Sequence, residues 1–178
     1  MKRIALIFSI LLLNLSFAQE VKWLTFDEAI AAQKKAPKKI LIDIYAPWCG
    51  PCKMMEKNTY GHPEIAKIIN KNYYAVKFNG EGNEVAHYQN KVFSNPKYRA
   101  NVSGRNAPHE LARFFNVTAY PTTVFLDETG APITNLVGYF NAKELEPYLS
   151  LFHTDTYKNI ETKAQWEDFQ KKFKSKIK

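Results

Sequence analysis

One segment constrains the fold more than any other: an apolar run from Ile40 to Ala46 that leads within three residues into Cys49-Gly50-Pro51-Cys52. The run is mostly apolar and does not alternate, which predicts a central β-strand covered on both faces. A helical stretch is predicted from Lys53 to about Lys57, with the two thiols at its mouth and Pro51 tolerated in its first turn. The segment is therefore expected to form a strand, a turn and a helix.

Two thiols three residues apart at the start of a helix can close a disulfide without large backbone movement. The amides and macrodipole of the helix favour a thiolate on the first thiol, so Cys49 is the expected nucleophile. Cys49 is expected to be exposed, and Cys52 to be a shielded resolving thiol. Attack by Cys49 on a client disulfide would give a mixed disulfide that Cys52 breaks.

Two other functions of this motif carry less weight. A zinc site needs four ligands, yet no third cysteine exists and the four histidines lack the paired spacing of a zinc finger. A purely structural disulfide between near neighbours removes little entropy from the unfolded chain. We expect no metal, and no cofactor beyond the redox-active Cys49–Cys52 disulfide.

The rest of the chain alternates helices and strands. Thr25 and Glu28 form a capping-box sequence that opens a helix through Lys35. Further elements are predicted as a helix from Pro63, a strand Tyr73 to Phe78, a short helix Pro108 to Phe115, a hairpin of Thr122 to Leu126 with Ile133 to Val137, a helix from Asn141 to about Phe152, and a last helix whose inward stripe is Trp166, Phe169, Phe173 and Ile177. The fold class is α/β.

The first 18 residues are predicted to be a cleaved secretory signal. Lys2 and Arg3 precede an apolar run, and Ser16 and Ala18 supply the small residues that a signal peptidase requires. The run is short for a membrane span, although an uncleaved anchor is the alternative. The mature chain is then expected to begin at Gln19 and to act in the periplasm or outside the cell.

Composition fits one domain over residues 19–178. The chain has 178 residues, 46% of them hydrophobic and 24% charged, which allows a packed core without a disulfide framework. The formal net charge is +8, but no long block of like charge occurs. A basic surface is expected, and nucleic acid is not an expected partner.

Residues Ile40 to Met54, which read ILIDIYAPWCGPCKM, closely resemble the active-site strand, turn and helix of thioredoxins. Tyr120-Pro121-Thr122 is similar to the cis-proline loop of that family. The resemblance covers Trp23 to about Phe152, apart from an insert at about 79–107. It implies a thioredoxin fold, in which helices flank a central mixed β-sheet.

The resemblance assigns roles to the motif and to a buried acid. Cys49 matches the family's nucleophile and Cys52 its resolving thiol, while Trp48, Gly50 and Pro51 complete the motif. Asp43 matches the buried acid that assists proton transfer at the resolving cysteine. Independently, a carboxyl in an apolar strand should have a raised pKa; the alternative is a structural carboxyl bonded to backbone at a strand end.

Four further residues follow from the resemblance. Lys77 matches a lysine near the buried acid, and an ordinary exposed strand lysine is the alternative. Pro121 is expected to be cis and to face the dithiol with the backbone of Tyr120, and a trans proline that starts a strand is the alternative. Gly138 resembles the glycine that lets a substrate backbone approach.

Two regions depart from the family pattern. The insert at 79–107 is rich in basic and aromatic residues, and two roles stay open for it: a partner-binding rim or a cover for a sheet edge. The residues considered for the rim are His87, Tyr88, Lys91, Phe93, Lys97, Tyr98, Arg99 and Arg105. The second region is a C-terminal helical extension at about 153–178.

The expected function is an exported, monomeric thiol-disulfide oxidoreductase that reduces disulfides of exported client proteins. The Gly-Pro pair between the cysteines resembles reducing thioredoxins, which favours that direction. A reductase outside the cytoplasm needs electrons, so a membrane thiol donor is hypothesised. The alternatives are a disulfide oxidase or isomerase, and a non-catalytic adaptor that binds a partner through the insert.

Overall fold

The computed structural model describes residues 20–178, so the expected signal segment at 1–18 lies outside the described residues. The strands are β1 Trp23–Leu24, β2 Lys39–Tyr45, β3 Tyr73–Asn79, β4 Ala86–Tyr88, β5 Lys91–Phe93, β6 Thr122–Leu126 and β7 Pro132–Val137. The helices are α1 Phe26–Lys35, α2 Gly50–Met55, α3 Pro63–Asn72, α4 Glu110–Phe114, α5 Ala142–His153 and α6 Lys163–Lys172. Within residues 20–178 no helix combines the length and apolar character that crossing a bilayer requires.

Five strands form one mixed sheet in the order β1-β3-β2-β6-β7. The pairs β1 with β3 and β2 with β3 are parallel, while β2 with β6 and β6 with β7 are antiparallel. The central strand is β2, as its unbroken apolar run predicts. The predicted thioredoxin fold, with helices flanking a mixed sheet, is confirmed.

Side chains of β2 alternate between two apolar layers, because successive residues of a strand point to opposite faces. Ile40, Ile42 and Ile44 belong to the core that contains α1 and α4. Leu41 belongs to the core that contains α3 and α5. By the same alternation Asp43 lies on the face of Leu41, which places its carboxyl on the side of the sheet away from α1.

The helix at the cysteines differs from its predicted range. Cys49 is the N-cap of α2, which begins at Gly50 rather than Lys53, and the helix continues as a π-helical turn over Glu56–Tyr60. Pro51 has no backbone N–H, but an N–H in the first turn of a helix has no partner within the helix. The helix can therefore begin next to Pro51. Met55 and Tyr60 are buried, and this packing extends the helix beyond Lys57.

The insert forms a hairpin of its own. Strands β4 and β5 pair with each other in a separate two-stranded sheet. Tyr88 and Phe93 are buried, with the ring of Tyr88 5.7 Å from that of Phe26 on α1 and the ring of Phe93 5.3 Å from that of Phe114 on α4. The hairpin thus packs on α1 and α4 instead of pairing with a strand of the five-stranded sheet, and Tyr88 and Phe93 lie in the core rather than on a rim.

The C-terminal extension packs on α5, but its last helix is shorter than predicted. Trp166 stacks on Tyr148 with ring centroids 4.8 Å apart. Helix α6 ends at Lys172, and Phe173 is its extended C-cap. Ile177 is buried in the core although it lies beyond the helix, so helical spacing predicted its burial but not its conformation.

Candidate active site

The two cysteines are joined in a disulfide at the start of α2, with their Cα atoms 5.3 Å apart. The strand β2 ends at Tyr45, and the turn that follows is closed by the Cys49 amide, which donates to the Ala46 carbonyl at 3.0 Å. The amide of Cys52 donates to Sγ of Cys49 at 3.1 Å. That amide would stabilise negative charge on the same sulfur when the disulfide is reduced.

Both cysteines are buried in the disulfide form, which contradicts the expectation of an exposed Cys49. Cys49 is 2% exposed and Cys52 5% exposed. The side chains of Tyr45, Trp48 and Tyr120 pack against them. The first cysteine is covered because large aromatic side chains precede it in sequence and face it from the proline loop.

Asp43 is buried beneath the dithiol, 2% exposed, and its Oδ1 has no hydrogen-bond partner among residues 20–178. Burial raises the pKa of Asp43 to about 7; the Lys77 charge lowers it and the Glu56 charge raises it to smaller extents. A small cavity of about 90 Å³ connects this carboxyl with Cys52. Its lining comprises Asp43, Tyr45, Ala46, Pro47, Cys52, Lys53, Glu56 and Lys77.

The position of Asp43 does not fit the structural alternative. The residue lies inside β2, in register with Lys77 of β3 on one side and Thr123 of β6 on the other. It is thus not at a strand end. A carboxyl with an unpartnered buried oxygen and a pKa near neutrality suits proton transfer better than structural hydrogen bonding.

Lys77 is ion-paired with Glu56 of the π-helical turn, and its side chain is 22% exposed. Its ammonium lies 5.2 Å from the ring centroid of Tyr45. The structure therefore brings Lys77 to the Asp43 cavity rather than leaving it as a free surface lysine. Sequence reasoning missed Glu56, although the residue stands four positions after Cys52 and so on the same helix face.

The proline loop faces the motif tryptophan. The Tyr120–Pro121 peptide bond is cis, in agreement with the resemblance. The rings of Trp48 and Tyr120 meet edge to face with centroids 5.9 Å apart. The amide of Gly138 donates to the Pro121 carbonyl at 2.8 Å, and Gly138 has a φ of +101° that favours glycine.

Two residues after β3 complete the site and were not predicted. Glu81 is 6% exposed, and its Oε2 accepts hydrogen bonds from Nε1 of Trp48 and from the Asn106 amide, both at 2.7 Å. A Cβ atom built on Gly80 would lie 2.5 Å from Cε1 of Tyr120. Their place at the carboxyl end of β3, beside that of the parallel β2, is the feature from which they could have been predicted.

The insert also reaches the site. The guanidinium carbon of Arg105 lies 4.4 Å from the ring centroid of Trp48. Arg105 is exposed, whereas the carboxylate of Glu81 is buried. Together these residues form a site with a buried Cys49–Cys52 disulfide, the acid Asp43 behind Cys52 and the basic group of Arg105 at the rim.

Among residues 20–178, no cluster of three or more His, Cys, Asp or Glu side chains is arranged to bind a metal ion. The chemistry open to the site is exchange of the disulfide with thiols or other disulfides, and transfer of a proton between Cys52 and Asp43.

The family model described as a thioredoxin-like domain matches residues 26–153. Among curated proteins, the chain is 26% identical over 140 residues to the thiol:disulfide interchange protein DsbD of Pectobacterium atrosepticum, covering 78% of this chain and 20% of that protein. It is 29% identical over 126 residues to the DsbD of Citrobacter koseri, covering 69% and 18%. The chain thus spans about a fifth of the length of these relatives.

Solved structures share the fold. A thioredoxin-fold protein from Helicobacter pylori superposes with a TM-score of 0.56 at 21% identity, covering 76% of this chain and 80% of that one. A putative disulphide-isomerase from Bacteroides thetaiotaomicron superposes with a TM-score of 0.52 at 25% identity, covering 75% and 93%.

Proposed function

The chain belongs to the thioredoxin-like family, and from this premise we propose that it is a thiol-disulfide oxidoreductase working through Cys49 and Cys52. The observation that carries the proposal is the cavity in which the Asp43 carboxyl, with a pKa of about 7, meets Cys52 behind the disulfide. A structural disulfide has no need of an unpartnered acid at that place.

The reaction begins with the reduced dithiol. The Cys49 thiolate attacks one sulfur of a client disulfide; an S–S bond forms between Cys49 and the client, and the other client sulfur leaves as a thiolate. Cys52 gives its proton to Asp43 and attacks Sγ of Cys49. The mixed disulfide breaks, the Cys49–Cys52 disulfide forms, and the second client sulfur also leaves as a thiolate. The two client thiolates take up protons from water and Asp43 returns its proton to water, so the client ends as a dithiol with two electrons gained.

Asp43 acts as the proton acceptor for Cys52 in this cycle. A base with a pKa near the working pH combines adequate ionisation with adequate strength. Burial is the main cause that raises the pKa of Asp43 to about 7, while the Lys77 charge lowers this pKa and the Glu56 charge raises it to smaller extents. No bound cofactor takes part, because the dithiol itself carries the electrons.

The client segment binds along the surface formed by the motif and the proline loop. Trp48, Gly50 and Pro51 flank the nucleophile, and Tyr120 and Pro121 offer backbone groups to an extended chain. Gly138 stands beside Pro121, and open space surrounds the position that a Cβ would take there. These six residues are the proposed substrate-binding set.

Reduction is the proposed direction, with exported proteins as clients and a membrane thiol carrier as the electron donor. The Cys-Gly-Pro-Cys sequence and the apolar, N-terminally basic segment at 1–18 support these proposals. The names of the curated relatives, which are thiol:disulfide interchange proteins, support exchange with protein disulfides. A monomer is proposed.

The equilibrium of the Cys49–Cys52 pair with glutathione tests the direction. We expect a potential near about −270 mV, whereas one near about −120 mV, typical of strong oxidants, would reverse it. Cys52→Ser should trap clients as mixed disulfides on Cys49, and Cys49→Ser is the matched control that should trap none. Equal trapping by both variants would contradict the assigned order of the thiols.

An isomerase is the second candidate, because the Bacteroides thetaiotaomicron structure that shares the fold at 25% identity is described as a putative disulphide-isomerase. The same two cysteines would then reshuffle client disulfides without net electron transfer. Two assays distinguish an isomerase from a reductase: the rate at which a protein with scrambled disulfides is reactivated, and the rate at which insulin is reduced. Faster reactivation than reduction at equal enzyme concentration would favour the isomerase.

A further inference from the structure

The insert carries a basic loop, residues 97–105, to the rim of the dithiol. Its charged side chains are Lys97, Arg99 and Arg105, and the whole segment 94–107 contains no aspartate or glutamate. Within the described part of the chain, none of the three forms an ion pair with a carboxylate. The loop therefore presents positive charge that the protein itself does not neutralise by direct contact.

Hydrogen bonds close the base of the basic loop. The side chain of Asn106 donates to the Arg99 carbonyl at 2.8 Å and accepts from the Arg99 amide at 3.1 Å. The side-chain amide of Asn95 donates to the carbonyls of Gly82 and Ala107 at 2.9 and 2.7 Å. These bonds hold the loop in place and fix where Arg105 emerges from it.

Arg105 lies over the tryptophan that precedes the nucleophile, with its guanidinium carbon 4.4 Å from the Trp48 ring centroid. Beneath this contact the buried Glu81 Oε2 already accepts from Trp48 Nε1 and from the Asn106 amide. Glu81 thus anchors the indole and the loop, while the guanidinium of Arg105 is exposed, with no hydrogen bond to another side chain among residues 20–178. A guanidinium fork is suited to binding a carboxylate through two parallel bonds.

We propose that Arg105 is a specificity-determining residue that selects client disulfides flanked by an acidic side chain. The inference rests on the oxidoreductase function proposed above. Met54, which follows the motif in α2, and Val137 and Tyr139, which flank Gly138, are exposed side chains without charge and cannot select a client by its charge. Lys53, beside Cys52, has the same sign of charge as Arg105 and reinforces the preference.

Three synthetic peptides test the proposal. Each contains one intramolecular disulfide, and they differ only in the residue next to the attacked cysteine, which is Glu, Gln or Lys. The rate constant for reduction by the full chain, reduced beforehand with dithiothreitol, is measured for each peptide. We expect the Glu peptide to react about threefold to fivefold faster than the Gln peptide, the range of a partly exposed ion pair, and the difference to shrink at high salt.

Substitutions assign the preference to Arg105. Arg105→Gln should abolish the advantage of the Glu peptide over the Gln peptide, because the partner of the peptide carboxylate is lost. Arg105→Glu should reverse the order in favour of the Lys peptide. Arg113→Gln, which removes an exposed arginine of α4 outside the loop, is the matched control and should retain the wild-type order.

Two outcomes would overturn the inference. One is equal reduction of all three peptides by the wild-type protein. The other is an equal slowing of all three by Arg105→Gln, which would mean that Arg105 only braces the indole of Trp48. Failure of the oxidoreductase function would look different, because the wild-type protein would then reduce none of the peptides and would match Cys49→Ser.

Discussion

Asp43 stands directly opposite Lys77 in the parallel pairing of β2 and β3. Both side chains lie on the sheet face that carries the dithiol helix, and Glu56 joins them from the π-helical turn by its ion pair with Lys77. Three charged groups therefore meet behind Cys52. The charges of Lys77 and Glu56 shift the pKa of Asp43 in opposite directions, so substitutions at the three positions test the proposed proton transfer.

Asp43→Asn should stabilise the protein at alkaline pH and slow the exchange reaction. Because the pKa of Asp43 is about 7 when folded and 3.8 as its ordinary value, the folded state binds the proton more tightly, and stability falls as the pH rises from about 4 to 7. The variant has no carboxyl to ionise at this position, so its stability does not fall over this pH range. Above pH 7 its free energy of unfolding should exceed that of the wild type by up to about 4 kcal/mol.

Urea unfolding at pH 5 and pH 8 measures this effect, and the gain should be smaller at pH 5. Asp168→Asn, at an exposed position of α6, is the control and should show no such gain. Client release should slow by about tenfold or more when the base is removed. A variant that unfolds like the wild type at both pH values would show that Asp43 is not an acid with a raised pKa.

Lys77→Met and Glu56→Gln should shift the pH dependence of exchange in opposite directions. The Lys77 charge lowers the pKa of Asp43, so its removal raises that pKa and moves the rising limb of the pH–rate profile to higher pH. The Glu56 charge raises the pKa, so its removal moves the limb to lower pH. The measurement is the rate of mixed-disulfide release from pH 5 to pH 9.

The two variants serve as each other's control, because both break the same ion pair. If loss of the ion pair itself were the cause, both profiles would move in the same direction. Shifts of the same sign would therefore contradict the electrostatic account.

The strand, turn and helix around the cysteines were predictable because local patterns determine them. Asp43 stood out as a charged residue in an apolar run, and the structure gives it the raised pKa that burial implies. The covered Cys49 was not predictable. Tyr120, which packs against the cysteines, lies far along the chain and is brought beside them by the pairing of β2 with β6.

The insert shows where sequence patterns lose their predictive power. Its two strands are three residues each, too short for periodicity to reveal. The contact of Glu81 with Trp48 spans 33 positions and depends on the meeting of two strand ends. Basic and aromatic residues together suggested a rim role for the insert, and only the fold separates Arg105, which reaches the site, from Tyr88, which is buried in the core.

Gly80→Ala should destabilise the protein and displace the proline loop. The added Cβ would lie 2.5 Å from Cε1 of Tyr120 and 2.9 Å from Cγ2 of Ile44, so Tyr120 must move. We expect a loss of about 1–3 kcal/mol in the free energy of unfolding, as for other overpacked sites. Chemical denaturation measures the free energy of unfolding. The rate of peptide reduction shows whether displacement of the proline loop impairs the site.

Gly50→Ala is the matched control for this change. No heavy atom lies within 4 Å of the position of its added Cβ, and the residue is helical. Its stability should change by less than about 1 kcal/mol. A Gly80→Ala protein as stable as Gly50→Ala would mean that Tyr120 can be displaced at no cost, and thus that it is not held at the site.

Glu81→Ala should make the reduced Cys49 react faster with iodoacetamide. The change leaves Nε1 of Trp48 and the Asn106 amide without their shared acceptor, so the indole that packs over the cysteines is released. Losing this acceptor should also cost about 1–3 kcal/mol of stability. Alkylation rates measured from pH 5 to pH 9 separate better access, which raises the plateau, from a changed thiol pKa, which moves the midpoint.

Glu110→Ala is the control for Glu81→Ala, since Glu110 accepts the Ser94 amide of the same insert at 2.9 Å without contacting the indole through a hydrogen bond. It should loosen the insert and leave the alkylation plateau unchanged. If both variants raised the plateau equally, general loosening of the insert would explain the effect. If only Glu81→Ala raises it, a single buried carboxylate controls access to the nucleophile, because the indole covers Cys49 only while that carboxylate holds it.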